Sequence, residues 1–331
     1  MTTSSTPEQL ERSFRTTEAS GGAGKGSVRR RLLPDSRLDV FTEVRFPSHD
    51  WALLVHSDER LDDRDLILTT GLTCRTRDGS VEVVAGQQTD RLLFCTLLAD
   101  LVSQLNLPSS APTTALVRRL TAWRRMLGRG LPTGLTHEGR LGLYGELLVL
   151  REVMLPAIGS EAVRAWVGPA AAPKDFAHLS TSVEVKTVSR RDPDRCRISH
   201  ERQLDTTGLA HLFLVHQVIG TAPEGSSLEE LVDALRDDPF VRAELAWFEN
   251  CLLEAGWLDA HRGQYINDRY VLARRQCFSV REGFPRMVPA DLPAGVSGVS
   301  YLVDLSTCGS HRVDEGAVRE SVVRPGDAVE G

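Results

Sequence analysis

Hydrophobic and polar positions change their spacing several times along this chain, and each change predicts a different block. Residues 1–32 are rich in Ser, Thr, Gly and Arg without any apolar period, so they are expected to form a disordered tail. From about 33 to 110 the segments WALLVHS, DLILTTGLTCRTR and SVEVVAG alternate or run apolar over short lengths and read as strands. The Asp78-Gly79 pair reads as a hairpin turn between two of them. RLLFCTLLADLVSQL, Arg91 to Leu105, has apolar residues at helical spacing and closes a β-rich module. Pro108 and Pro112 mark the boundary, which is placed at 110/111.

The block from 111 to 308 mixes the two periods. It opens with a helix over Thr113 to Gly130, in which Arg118, Arg119, Arg124 and Arg125 form a positive face: a solvated surface or a phosphate-contacting one. A helix from about Thr136 to Leu155 follows, then Trp166, a Gly-Pro turn and the stretch KDFAHLSTSVEVKT, Lys174 to Thr187. RCRISH and AHLFLVHQVIG are expected strands with a short helix around ERQL between them. Helices over 227–236 and 238–256 precede two late strands in YVLARRQCFSV and VSGVSYLVDLS. Residues 309–331 read as a polar tail, and no internal repeat is visible.

Composition narrows the class. The 331 residues, 41% hydrophobic and 25% charged, describe an ordinary globular protein, and a net charge of −6 argues against a uniformly basic nucleic-acid coat while leaving room for a local basic groove. Six scattered cysteines show no zinc spacing and read as buried or free thiols of a reducing cytosol. The N-terminus lacks an apolar signal core and no long apolar run occurs, so a cytoplasmic protein away from membranes is expected. GGAGKGS, Gly21 to Ser27, imitates a phosphate loop but lacks the Ser or Thr after Lys25 and a preceding strand.

All but three of the 39 basic residues are arginine; the lysines are Lys25, Lys174 and Lys186. A lysine retained in such a chain points to work a guanidinium cannot do, because ammonium is a compact donor whose pKa responds to its surroundings. In SVEVKT the strand period places Glu184 and Lys186 on one face and Val183 and Val185 on the other. LSTS is a turn composition, so Asp175 can meet Glu184 across a hairpin. Two carboxylates beside an ammonium make a pocket for Mg²⁺ or Mn²⁺; the alternative is a surface hairpin with a cross-strand ion pair. Glu146, in LGLYGELLVL, has only uncharged neighbours on a helix and needs a cation, metal or donor from elsewhere. His211 and His216, flanking an apolar strand, read as core-edge residues.

The order Glu146, Asp175, Glu184-Val185-Lys186 resembles the PD-(D/E)XK nuclease superfamily. More closely, GLYGELLVL, the WVGP turn, KDF, VEVKT, ISHERQL, FPRM and SYLVDL resemble a bacterial PD-(D/E)XK group often associated with restriction or antiphage defence. The resemblance implies an α/β fold: a restriction-endonuclease-like core with a mixed central sheet flanked by helices, preceded here by the β-rich module. It implies Asp175, Glu184 and the main-chain carbonyl of Val185 as metal ligands, Lys186 as the residue that orients or deprotonates the attacking water, and Glu146 as an additional metal residue or one that supports the ligands from behind. Gln203 matches a position where related nucleases carry a polar residue facing the site. Lys174 stands where the name-giving proline is expected, with Pro173 one place earlier. Arg190, Arg191, Arg195 and Arg197 become candidate backbone contacts along a DNA groove.

The expected function is therefore Mg²⁺-dependent hydrolysis of DNA phosphodiester bonds, in restriction or antiphage defence. The alternatives are a non-cleaving DNA-binding or scaffold subunit, and a DNA repair nuclease. Expected partners are DNA, further subunits of a defence system such as an ATPase or a methyltransferase, and a second copy of the chain.

Overall fold

The structure, a computed structural model, describes residues 6–21, 25–34, 36–107, 109–128, 130, 134–170, 172–189 and 194–324. The chain divides into two compact units, Met1–Thr133 and Gly134–Gly331.

The first unit begins with α1 (Pro7–Ser20), where a disordered tail was expected. Thr6 and Gln9 form a reciprocal capping box that satisfies the first backbone donors. Only Leu10, Phe14 and Thr17 are buried, a stripe too thin to stand out from the polar residues around it. Phe14 nonetheless stacks on Trp51 with ring centroids 4.6 Å apart, which anchors the helix. The strands are β1 (Gly26–Arg31), β2 (Asp39–Phe46), β3 (Asp50–His56), β4 (Arg64–Thr69), β5 (Leu72–Arg77) and β6 (Ser80–Ala85). They form one antiparallel sheet in the order β1-β2-β3-β6-β5-β4, and Asp78-Gly79 is the β5–β6 turn. Thus the chain is ordered well before residue 33; Arg29 on β1 pairs with the buried Glu43 of β2. The phosphate-loop imitation GGAGKGS lies partly outside the described residues.

Two helices complete this unit, α2 (Arg91–Leu105) and α3 (Pro112–Gly128). The expected boundary at 110/111 is displaced to 133/134, because α3 packs with α2 rather than opening the next unit. Arg119 shows why. Its side chain is buried, its Nε donates to Asp100 Oδ2 at 2.7 Å, and Trp123 Nε1 donates to the same oxygen at 2.6 Å. Glu59 caps the start of α3, accepting from the backbone N–H of Thr113 at 2.8 Å and Thr114 at 3.0 Å.

The second unit opens with α4 (His137–Val149), capped by Thr136. A π-helical turn over Leu150–Met154 joins it to α5 (Leu155–Ile158), and α6 (Glu161–Ala165) follows. Then come β7 (Phe176–His178), β8 (Thr181–Ser189), β9 (Arg195–Ile198) and β10 (His211–Ser227). The expected ERQL helix is a series of turns over 201–204. The two expected helices after β10 are three: α7 (Leu228–Asp237), α8 (Pro239–Ala243) and α9 (Leu245–Glu254). The remaining elements are β11 (Arg269–Ser279), β12 (Tyr301–Asp304), β13 (Arg312–Val313) and α10 (Glu315–Val323). Those last two replace the polar tail expected over 309–331. Val318 and Val322, one helical turn apart, are buried in the core, and Thr181 Oγ1 donates to the carbonyl of Ser321 at 2.8 Å.

The main sheet runs β13-β11-β10-β8-β7, with β8 and β10 parallel and the other pairs antiparallel. It is the mixed sheet flanked by helices that the resemblance implies. Residues 212–220 of β10 are all buried, as a central strand covered on both faces must be. One face, with Val183, Val185, Phe213 and Val215, packs on the helices in the larger core. On the other, Leu212 and Leu214 join Cys196, Ile198, Phe278 and Val303 in a smaller core beneath the separate β9–β12 pair. All six cysteines are buried and no two form a disulfide. Among the described residues no helix is long and apolar enough to cross a membrane.

Candidate active site

The alternation of SVEVKT does what its period demands. Val183 and Val185 enter the larger core, which turns Glu184 and Lys186 to the opposite face. There Glu184 is 1% exposed and its Oε1 lies 2.8 Å from Lys186 Nζ. That ion pair occupies Oε1, while Glu184 Oε2 has no partner among the described residues. The turn before β8 is Leu179-Ser180, tighter than the expected LSTS, and it pairs His178 with Thr181.

Asp175 precedes β7 and reaches back to β8, where its Oδ2 accepts from the N–H of Val185 at 2.7 Å. Its carbonyl accepts from the N–H groups of Val167 and Gly168, each at 2.9 Å. The WVGP turn therefore grips Asp175 from behind, and a Cβ at Gly168 would come within 2.8 Å of Asp175 Oδ1. Glycine is needed there for close approach. Glu146 projects from α4, and its Oε2 accepts from Trp166 Nε1 at 2.8 Å. Gln203 faces the site from the 201–204 turns: its Oε1 accepts from Lys186 Nζ at 3.1 Å and from the N–H of Ser199 at 2.8 Å.

The electrostatics follow from placing three acids and one ammonium in a largely buried pocket. Burial pushes the Glu146 carboxyl up to about 8, with the charge of Asp175 adding to it. Burial also raises Asp175, to about 6, against the opposing pull of the Val185 N–H and of Lys186. Glu184 is raised well above the usual carboxylate range by burial and then by Asp175. For Lys186, burial works downward, but Glu184 and Asp175 outweigh it and the ammonium is held above its ordinary value.

Such a pocket lacks positive charge. Hard carboxylate oxygens, among them Glu184 Oε2, buried without a partner among the described residues, are the chemistry that a small divalent cation fits. Asp175, tied to the Val185 N–H, and Glu184, the residue before Val185, are the acids that such a cation would draw on, with the Val185 carbonyl; Glu146 stays on the Trp166 indole. Among the described residues no group of three or more His, Cys, Asp or Glu side chains is gathered at metal-holding spacing.

Asp175, Glu184, Lys186, Gln203 and Glu146 are thus brought into one neighbourhood, the first four by direct contacts around β8. The basic candidates are placed differently. Arg195 and Arg197 are exposed on β9 while Cys196 and Ile198 are buried, and Arg197 donates to Ser300 Oγ at 3.3 Å. Arg190 and Arg191 lie outside the described residues. Arg118, Arg124 and Arg125 are exposed along α3, but Arg119 is withdrawn from that face by Asp100. A buried, bidentate arginine has no phosphate to contact.

Three neighbours were not foreseen. Trp166 holds Glu146, Ser199 holds Gln203, and half-buried Lys174 feels the charges of Asp205 and Glu184. Only Lys174 left a signal, as a rare lysine beside Asp175. His216 is no edge residue either. It is fully buried, neither ring nitrogen has a partner among the described residues, and burial lowers its pKa to about 4, whereas His211 is exposed.

No curated protein and no solved structure matches this chain. A family described as "Putative PD-(D/E)XK family member, (DUF4420)" matches residues 8–306, which takes in nearly all of the first unit as well as the hairpin of Asp175, Glu184 and Lys186. The β-rich module is therefore part of what relatives share and not an appendage, and the chain belongs to this PD-(D/E)XK family.

Proposed function

We propose that the protein is a Mg²⁺- or Mn²⁺-dependent DNA endonuclease that hydrolyses phosphodiester bonds. The observation that carries this reading is the buried face of β8, where Glu184, paired with the Lys186 ammonium through one oxygen only, and the Asp175 carboxylate come together. Asp175, Glu184 and the Val185 carbonyl would hold the cation, with Glu146 as a further ligand or support. When bound, a divalent ion supplies charge neutralisation at the scissile phosphate and lowers the pKa of water. Lys186, held between Glu184 and Gln203, orients the attacking water. Arg195 and Arg197, with Arg190, Arg191 and the exposed arginines of α3, are proposed as backbone contacts to DNA.

The proposed setting is bacterial restriction or antiphage defence in the cytoplasm, with an ATPase or methyltransferase subunit, or a second copy, as partner. This rests on the resemblance of GLYGELLVL, WVGP, KDF and VEVKT. A second reading, a DNA-binding subunit that does not cut, is favoured by one observation: the acids are not gathered into a finished cage.

The test is incubation of the full-length protein with circular and linear DNA, with and without Mg²⁺ or Mn²⁺. Cutting that requires metal and falls by at least about 10²-fold in Lys186→Ala and Asp175→Asn is expected. Undiminished cutting by either folded variant sinks the assignment, and metal-independent binding without cleavage of any DNA supports the second reading.

A further inference from the structure

We propose that Gln217 is a positioning residue that fixes the depth and rotation of α4 on β8, and so the place of Glu146 in the pocket, a reading that rests on the active-site assignment above. Gln217 lies on β10, wholly buried. A buried amide is costly unless its groups are paired, and packing alone would be served as well by leucine or methionine. Here they are paired on both sides. Its Nε2 donates to the carbonyl of Gly145 at 2.9 Å, and its Oε1 accepts from Arg275 Nε at 3.2 Å and from a second Arg275 nitrogen at 3.1 Å.

Arg275 is itself held. Its guanidinium donates to Glu152 Oε2 at 2.8 Å and to Glu315 Oε2 at 2.9 Å. Glu152 stands in the π turn that continues α4, so one connected set of polar groups grips that helical run twice, at Gly145 and at Glu152. It ties the run to β10, β11 and α10. Such a network fixes one arrangement where apolar contacts would permit several.

The point of grip matters more than its strength. Gly145 immediately precedes Glu146, and Thr187 immediately follows Lys186. A Cβ at Gly145 would fall 1.8 Å from Thr187 Oγ1, 2.9 Å from Thr187 Cβ and 3.1 Å from Gln217 Nε2. Gln217 and Thr187 are register partners on neighbouring strands. Helix and strand therefore approach closely one residue from each of two site residues. Any change in this approach moves Glu146 against Glu184 and Lys186.

Two full-length variants test this: Gln217→Met, which keeps length without hydrogen bonds, and Gly145→Ala, which forces α4 away from Thr187. The direct readout is the indole N–H resonance of Trp166 in a ¹⁵N–¹H spectrum, assigned by its loss in Trp166→Phe, because that N–H donates to Glu146. In both variants the resonance should move from its wild-type position, as it does in Glu146→Gln. Thr187→Gly added to Gly145→Ala removes both Thr187 contacts and should bring it most of the way back. In cleavage assays each single variant should lower kcat by about 10- to 100-fold with KM for DNA unchanged. That loss should vanish when Gln217→Met is combined with Glu146→Ala.

An unmoved Trp166 resonance in either folded variant overturns the proposal, as does a cleavage loss that simply adds to that of Glu146→Ala. Should Gln217→Met not fold, the Gly145→Ala and Thr187→Gly pair decides on the same readout. Should the wild type cut no DNA, the nuclease reading fails, while the Trp166 resonance still decides whether Gln217 positions Glu146.

Discussion

Two clusters of charge in the second unit make opposite use of burial. Among the helices after β10, Arg236 donates to Glu249 at 2.7 and 3.0 Å and to Asp259 at 3.0 and 3.1 Å, and it also meets Asp233. Arg262 closes the ring by pairing with Glu229 and Asp233. Every cation there has acids arranged round it, and the pairing holds the Arg236 guanidinium firmly protonated despite burial. At β8 three acids gather round Lys186, Glu184 Oε2 has no partner among the described residues, and all three carboxyls are pushed toward their neutral forms. The first cluster is finished by the chain itself. The second is left short of positive charge by the chain itself, as the proposed metal site would be.

That contrast can be broken in several ways. The largest effect is expected at the finished cluster: Arg236→Ala leaves Glu249 partly buried without its cation and should cost about 3–5 kcal/mol, read by chemical denaturation. Cleavage per folded molecule should not change. A loss below about 1 kcal/mol would show that the network is not the closed structure described.

At the unfinished cluster the sign reverses. The Glu146 carboxyl titrates near 8 in the folded chain and near 4.5 when exposed, so the folded state binds the extra proton between those values. Stability from that proton is fully present below about 4.5 and is lost as pH rises through about 8. Glu146→Gln, which keeps an acceptor for Trp166, should therefore be more stable than wild type at pH 8.5 and indistinguishable from it at pH 4.5. The difference should reach about 2–4 kcal/mol, below the full shift because the side chain keeps some contact with solvent. A difference that grows on acidification would contradict the burial of this group.

Divalent cation should supply part of what the pocket lacks. Mg²⁺ at about a hundred times its dissociation constant should stabilise the wild type by about 2.7 kcal/mol, reversed by EDTA, and should do little for Glu184→Gln. Equal stabilisation of both would place binding elsewhere. The smallest effect belongs to the surface: Arg195→Ala and Arg197→Ala should weaken binding alike across DNA sequences and each reduce the salt dependence by about one unit of slope.

How much of this was legible depended on the range of the signal. Local periods carried β5, β6, α2 and β8, because each buries a regular stripe that its own residues announce. The face of β8 bearing Glu184 and Lys186 followed from spacing alone, and Gln203 turned toward it although it lies on turns rather than a helix. Helices α1 and α10 escaped notice because each buries two or three residues and otherwise looks like solvent-facing chain. Arg119 was misread because a helical wheel shows which residues share a face but not which neighbour awaits it, here Asp100 on α2. The β9–β12 pair, with its own small core, joins residues about a hundred positions apart, beyond any local period. Trp166 was noticed as a landmark, but nothing local announced its indole as the partner of Glu146.

The π turn at Leu150–Met154 carries one more consequence. An α-helix advances 100° per residue, so a single surplus residue in one turn uncouples the angular phase on its two sides. Upstream, the winding answers to Glu146; downstream, to the apolar seat of Leu155. Deleting one residue between them would return the run to regular winding and force a choice, with either the carboxylate or the leucine swung out of place.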